Sequence, residues 1–334
     1  MAQSEAGTGR ATPQAPLLVT GAAGFIGARF VESCIARGIP FLAADAPGHF
    51  GERKEHREIA FGRVIDRERL LDWLDEERPA LAGIVHLGAC TDTTQMDVAF
   101  LDRVNLGYSQ TLWRVASRER IPFVYASSAA TYGDGSLGYD DDESKIPSLR
   151  PLNPYGESKQ RFDVWALAEE AKAVCPPAWA GFKFFNVYGF GERHKAKMSS
   201  VVLQAFDQIR RTGETTLFRS HRPAVADGHQ TRDFVYVADV VDVLHFALEA
   251  PLRRGIFNLG TGRGRTFLDL VRATFTALGA EPRIVFVDTP PALRERYQYF
   301  TEARMEKLRA AGYSRAFTPL EHGVREYVQR LLRG

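Results

Sequence analysis

Gly21-Ala22-Ala23-Gly24-Phe25-Ile26-Gly27 lies between a short apolar run, Leu17-Leu18-Val19-Thr20, and a stretch from Phe25 to Arg37 whose apolar residues recur at helical spacing until Gly38 breaks the pattern. No other feature of the chain restricts its fold as strongly. A buried strand, a glycine-rich turn and a helix in that order form the opening βα unit of a parallel sheet. The first turn of such a helix carries backbone N–H groups without partners, and its dipole favours negative charge there. Glycines spaced GxxGxxG let a pyrophosphate reach those groups, because a Cβ would stand in the way. The motif alone is also readable as a plain tight turn. Asp45, about 20 residues on at the end of a second apolar run from Pro40 to Ala44, stands where a carboxylate receives an adenosine ribose, and this favours a dinucleotide site.

The rest of the chain repeats that opening. Gly83-Ile84-Val85-His86-Leu87 predicts a third strand and Ile121 to Ala126 a fourth, with helical spacing over 66–77 and 95–118 between them. Asn153-Pro154 predicts a helix start, with Asn as cap and Pro pre-set for the first turn, and the helix runs to about Ala173. Gly181 to Asn186, Phe234 to Val237 and Gly255 to Leu259 read as further strands. The alternation implies an α/β fold, a Rossmann-type doubly wound parallel sheet. At 334 residues and roughly 100–200 per domain, two units are expected. Residues 1–15 read as a disordered tail, 16–186 as a dinucleotide-binding domain to which 232–261 return, and 187–231 with 262–334 as a smaller, mainly helical substrate-binding domain.

Composition excludes several functions. Hydrophobic content of 45% and charged content of 25% are ordinary for a globular protein, and a net charge of +2 with scattered arginines gives no warrant for a nucleic-acid partner. No apolar run approaches the ~20 residues of a membrane span, and residues 1–16 lack the apolar middle of a signal peptide, so a cytoplasmic protein without a membrane partner is expected. Cys34, Cys90 and Cys175 lack the paired spacing of a zinc site or disulfide framework, which fits a reducing compartment and no metal.

Tyr155 and Lys159 place a phenol and an ammonium one turn apart near the start of the helix that follows Asn153-Pro154. The pair suits redox chemistry on a carbinol. A tyrosine ionises near pH ~10, so a neighbouring cation and an oxidised nicotinamide must stabilise the phenolate before it takes a hydroxyl proton. Lys159 supplies that charge from the same helix face. At the other end of the cofactor, Asp45 favours NAD, because a carboxylate accepts from a ribose 2′-hydroxyl and repels a 2′-phosphate. Arg53, in Arg53-Lys54-Glu55-His56-Arg57, opposes this: with Arg67 it would pair a 2′-phosphate bidentately, the alternative being a solvated charged loop.

Tyr155-x-x-x-Lys159, preceded by Ser128-Ala129-Ala130-Thr131-Tyr132-Gly133, resembles the Ser-Tyr-Lys constellation of the extended short-chain dehydrogenase/reductase superfamily, with Ser128 the better placed of Ser127 and Ser128. Ala129 and Ala130 stand where the nucleotide-sugar 4,6-dehydratases of that superfamily carry Asp-Glu, which disfavours dehydration. Phe185-Asn186-Val187-Tyr188-Gly189, His194-Lys195, Arg232-Asp233-Phe234-Val235-Tyr236-Val237, Asn258-Leu259-Gly260-Thr261-Gly262 and Arg296-Tyr297-Gln298, in this order, resemble the ADP-glycero-manno-heptose 6-epimerase family over roughly 17–334.

That resemblance implies transient oxidation at C6 of a nucleotide-diphosphate heptose and return of the hydride to the opposite face, with Ser128, Tyr155, Lys159 and Lys195 catalytic. It implies NADP, with NAD as the alternative, held by Gly21, Gly24, Phe25, Ile26, Gly27, Asp45, Arg53, Arg67, Leu87, Gly88, Ala89, Asn105, Tyr155, Lys159 and Val187. Substrate contacts are implied at Asn186, Lys197, Gln204, Phe218, Arg219, Arg232 and Tyr297, and a homo-oligomer, pentameric in the family. Each carries a plainer alternative: Lys195 as a surface cation beside Arg193 and Lys197, Arg232 as a surface ion pair with Asp233, Tyr297 as a core aromatic near Tyr299 and Phe300. Lys197, Gln204 and Arg219-Ser220-His221 depart from the family's residues near the nucleotide, and Ala46 replaces an asparagine at the ribose. Competing functions are a 4-epimerase of a nucleotide hexose, which has no use for Lys195, and a non-catalytic NADP-sensing protein, which has no need of Ser128, Tyr155 and Lys159 together.

Overall fold

The computed structural model describes residues 15–249, 252, 254–294 and 297–333. The tail expected at 1–15 lies outside the described residues except for Ala15, and Arg296 also lies outside them. The chain opens with β1 (Leu17–Thr20), α1 (Phe25–Ala36), β2 (Phe41–Asp45), α2 (Pro47–Glu52), β3 (Val64–Asp66), α3 (Leu70–Glu77) and β4 (Gly83–His86). Next, α4 (Val98–Leu101) passes through a π-helical turn, Asp102–Gly107, into α5 (Tyr108–Arg118), and β5 (Phe123–Ser128), α6 (Pro154–Ala171), β6 (Trp179–Phe184) and β7 (Asn186–Tyr188) follow. The remainder comprises α7 (Val201–Thr212), β8 (Thr215–Phe218), β9 (Thr231–Tyr236), α8 (Val237–Glu249), β10 (Gly255–Leu259), β11 (Gly264–Thr266), α9 (Phe267–Leu278), β12 (Ile284–Val287), α10 (Pro291–Arg294), α11 (Glu306–Ala310) and α12 (Leu320–Arg333).

Seven strands form one parallel sheet in the order β10-β6-β5-β4-β1-β2-β3. Every residue of β1 and β4 is buried, as strands covered by helices on both faces must be. From β1 the order runs outward through β2 and β3, then returns to β4 on its other side. That reversal opens a crevice at the carboxyl ends of β1 and β4, where ligands of such sheets bind. Gly21 and Gly88, just past these two strands, meet there: a Cβ on Gly21 would lie 2.6 Å from the Gly88 nitrogen.

The larger core flanks this sheet and includes Ala303, Met305, Leu308 and Tyr313 from the far end of the chain. A second core joins α7, α9 and α12 through Val202, Phe206, Leu270, Phe275, Val324 and Tyr327. Two small sheets accompany it, β11-β9-β7 and the parallel pair β12-β8. The stretch 187–231, assigned to the smaller domain, contains α7, whose Val202, Phe206 and Ile209 are buried at helical spacing. The helix expected over 95–118 is widened by the π turn that carries Asn105. Strand β3 is absent from the sequence reading because three residues, one of them an exposed Val64, carry almost no periodic signal.

Candidate active site

The glycine turn is shaped to receive an anion. Gly21 has φ +66, in the left-handed region that glycine enters freely, and a Cβ on Gly27 would lie 2.0 Å from the Gly21 oxygen. Gly24 caps α1 without any side-chain hydrogen bond, and no acidic residue occupies the first turn. The N–H groups there are open to a pyrophosphate, so the turn fits a dinucleotide. Beside it, Asp45 is buried, with Oδ2 accepting from Ala23 N at 3.1 Å and Oδ1 accepting from Ala46 N at 2.8 Å and lying 2.9 Å from His49 Nδ1. The Arg53 guanidinium donates to the Ala23 carbonyl in the glycine turn. Burial lowers its pKa, while Asp45 and Glu52 raise it and Arg67 lowers it further. Asp45, Arg53 and Arg67 therefore share one end of the crevice.

At the other end, Leu87 N donates to Thr20 O at 3.1 Å and Gly88 N to Thr20 Oγ1 at 3.3 Å, joining the segment after β4 to the end of β1. Asn105 is 1% exposed and its amide is engaged internally: Oδ1 accepts from Cys90 N, and Nδ2 donates to Cys90 O and Ser158 Oγ. It braces the 88–90 loop against α6. The α6 start matches its sequence signature, with Asn153 accepting from Gly156 N at 2.8 Å and Pro154 in the first turn. Gly156 is needed because a Cβ would lie 2.9 Å from the Ala130 oxygen, so α6 packs directly on the turn after Ser128.

This packing brings Tyr155 to Ser128. Burial raises the phenol's pKa, hydrogen bonding to Ser128 lowers it, and Cys90 and Asp163 raise it. Ser128 Oγ also accepts from Ala130 N at 3.1 Å, whereas Ser127 turns inward and donates to Asp163 at 2.7 Å. Lys159 Nζ donates to Ala126 O at 2.8 Å, and burial pulls its pKa down to about 8 against the pull of Asp163. Beneath them, Asp163 and Lys183 form a fully buried ion pair at 2.7 Å, to which Tyr125 and Ser127 donate and from which Lys183 reaches Thr131 at 2.7 Å.

Lys195 arrives on a separate segment. Its ammonium lies 5.5 Å from the centroid of the Phe25 ring at the start of α1, and burial lowers its pKa while Glu192 raises it. Thr93 of the segment after β4 touches Met198 of the lysine segment, Oγ1 to Sδ at 3.9 Å. Val187 is half-buried and Asn186 exposed, both on β7.

A third cluster gathers around β9. Arg232 is 8% exposed; it donates to Thr231 O and Gln298 O and stacks over Phe267 at 5.4 Å and Tyr297 at 5.6 Å. Its alternative as a surface ion pair with Asp233 fails, because neighbours on a strand face opposite ways. Asp233 turns inward and accepts from Thr261, Gly262 and Ala303. Phe218 meets Tyr297 edge to face at 6.3 Å. His221 packs edge-on to Tyr297 and Tyr299, and Arg222 lies 4.4 Å from the centroid of the Tyr299 ring. Arg219 instead pairs at the surface with Asp288 at 3.2 Å. Gln204 donates to Ser199 O at 2.8 Å and braces the lysine segment, and Lys197 is exposed. Among the described residues no three His, Cys, Asp or Glu side chains group as a metal site, and no helix is long and apolar enough to cross a membrane.

The model of the NAD dependent epimerase/dehydratase family matches residues 17–260. The chain is 42% identical to the ADP-L-glycero-D-manno-heptose-6-epimerase of Fusobacterium nucleatum subsp. nucleatum, over 95% of this chain and 98% of that protein. The chain belongs to the heptose-6-epimerase branch of this family. Among solved structures, the Helicobacter pylori ADP-L-glycero-D-manno-heptose-6-epimerase superposes with a TM-score of 0.79 at 25% identity, covering 95% of this chain and 96% of that one. The Thermus thermophilus UDP-glucose 4-epimerase, solved with NAD, superposes with a TM-score of 0.77 at 26% identity, covering 95% and 99%. The family is NAD dependent, in keeping with the glycine turn's fit to a nicotinamide dinucleotide.

Several residues that shape this epimerase-family site escaped the sequence reading. Asp163 stands four residues after Lys159, and that spacing on one helix face was a usable signal. Lys183 sits in an otherwise apolar strand, a second one. Glu192 and Arg222 lie in loops, where nothing local distinguishes a site residue from a solvated one.

Proposed function

We propose that this chain inverts C6 of a nucleotide-diphosphate heptose of the ADP-glycero-manno type, with a bound nicotinamide dinucleotide, NADP in preference to NAD. What carries this reading is the presence of two proton-carrying side chains on independent segments: Tyr155 beside Ser128, and Lys195 held over Phe25 at the mouth of the glycine turn. A 4-epimerase of a nucleotide hexose needs only the first. A silent NADP-sensing protein needs neither.

In this reading Tyr155 takes the C6 hydroxyl proton, Ser128 holds the same oxygen, and the Lys159 charge supports the phenolate. A nicotinamide dinucleotide held at the turn of Gly21, Gly24 and Gly27 would supply the acceptor for the C6 hydride and its return, with no net oxidation. The C6 ketone turns its other face, and Lys195 protonates the oxygen on that side. Arg232 grips the substrate pyrophosphate with its fork, between the Phe267 and Tyr297 rings. Phe218, Tyr297 and His221 line the nucleotide end. The larger unit holds the dinucleotide and the smaller one the sugar nucleotide. The family resemblance also supports a cytoplasmic homo-oligomer, testable by light scattering of the purified protein.

The test uses Tyr155→Phe and Lys195→Met with ADP-heptose, following C6 configuration by NMR. Both variants should lose epimerisation. A nucleotide hexose bearing a C6 aldehyde, whose dismutation requires hydride transfer without inversion, should still react in Lys195→Met. Wild-type epimerisation in either variant overturns the two-residue reading.

A further inference from the structure

We infer that Glu192 is a positioning residue for Lys195: a buried carboxylate that fixes the lysine segment to two helices and holds a negative charge toward the ammonium. The inference rests on the proton-donor role proposed for Lys195.

Glu192 is 0% exposed. Its Oε2 accepts from Ser200 N at 2.7 Å, and its Oε1 accepts from Ser200 Oγ at 2.5 Å and from Tyr327 OH at 3.1 Å. Ser200 is the N-cap of α7 and Tyr327 belongs to α12, so one side chain ties the loop to two of the three helices of the second core. Lys195 N donates to Glu192 O at 2.9 Å, which starts the turn that carries the lysine. Ala196, the next residue, has φ +48, a backbone that a residue with a Cβ seldom adopts. Such a turn needs both its ends held.

The electrostatics point the same way. A buried carboxylate met only by neutral donors is costly, and an ammonium out of water tends to lose its proton. Here burial raises the Glu192 pKa and Lys195 lowers it, while burial lowers the Lys195 pKa and Glu192 raises it. Other groups face this segment. His194 and Lys197 lie on it; Arg193 pairs with Asp207 at 2.9 Å and donates its N–H to Glu55 at 2.8 Å. Arg53 and His56 lie behind His194, α1 presents the Phe25 ring, and α12 presents Tyr327. Of these, Glu192 is the charge that acts on Lys195. It keeps a half-buried lysine able to give up a proton in a pocket that would otherwise strip it.

Glu192→Gln preserves volume and removes the charge. Competitive acetylation of Lys195 across pH, read by peptide mass spectrometry on the free enzyme, gives the midpoint of its titration directly. We expect that midpoint to fall by about one unit or more. The kcat for epimerisation should fall about tenfold, KM should stay within about threefold, and aldehyde dismutation should be unchanged. Glu192→Asp keeps the charge on a shorter tether and should keep a midpoint nearer wild type than E192Q does; a fall there as large as in E192Q overturns the role given to the carboxylate's charge. An unmoved midpoint in E192Q, or wild-type kcat, overturns it as well. If Lys195→Met epimerises at the wild-type rate, the proton-donor role fails on its own, and a shifted midpoint in E192Q still stands as the effect of Glu192 on the ammonium.

Discussion

Replacing Arg53 with alanine tests how the protein chooses between two nearly identical cofactors. The carboxylate that would favour NAD is already occupied: Asp45 accepts from Ala23 N and Ala46 N and lies against His49. Arg53 donates to the Ala23 carbonyl beside it, and burial lowers its pKa in spite of Asp45 and Glu52. A 2′-phosphate would add a negative charge beside the guanidinium. A charge-assisted hydrogen bond contributes about 1.5–3 kcal/mol, or about 10- to 150-fold in affinity. Arg67, exposed and 3.1 Å from Glu68, retains part of the attraction, so the loss should fall at the lower end of that range. NAD has only a hydroxyl to offer, and its affinity should change by no more than about twofold. Tryptophan fluorescence titration of cofactor-stripped wild type and Arg53→Ala with each dinucleotide, at low and high salt, measures both constants. NADP affinity equal to wild type, or an equal loss for NAD and NADP, refutes the argument and assigns Arg53 to bracing the glycine turn.

Gly27→Ala should cost about 1–3 kcal/mol and abolish dinucleotide binding, since its Cβ would sit 2.0 Å from the Gly21 oxygen; thermal melts with and without NADP check both parts. The ion pair between Asp163 and Lys183 is wholly buried, so Asp163→Asn should destabilise the fold by about 3–5 kcal/mol, and the double change Asp163→Leu with Lys183→Met should recover much of it in urea titrations. Burial pushes His86 down to about 3, and His56 and His245 down to about 4, from the ordinary 6.5. The unfolded chain therefore binds protons first as pH falls. The stability these rings contribute is complete above pH 6.5 and is lost toward pH 4 and below, at about 1.4 kcal/mol per unit of depression. Urea midpoints compared between pH 7 and 4.5 should show the fall, and His86→Asn should flatten it; an unchanged slope in that variant removes His86 from the account.

The sequence by itself determined whatever is settled between near neighbours in the chain. Strand, glycine turn and helix at 17–36 follow from three glycines and two apolar periodicities, and the start of α6 follows from Asn153 and Pro154, because caps and turns are satisfied within a few residues. The same locality puts Tyr155 and Lys159 on one helix face. The family spacing already singled out Ser128, but only the tertiary structure supplies the reason, since Ser127 and Ser128 face opposite sides of β5 and Ser127 donates to Asp163. Tertiary structure also turned Asn105 into a brace, buried Lys183 against Asp163, and stacked Arg232 between rings from two distant segments. Glu192 belongs to the same class: its partners Ser200 and Tyr327 lie on separate helices, and no local pattern separates a glutamate in a charged loop from one sealed between α7 and α12. Hydrogen bonds and charges between segments far apart in sequence depend on how whole elements pack, and a pattern read over a few residues does not carry that information.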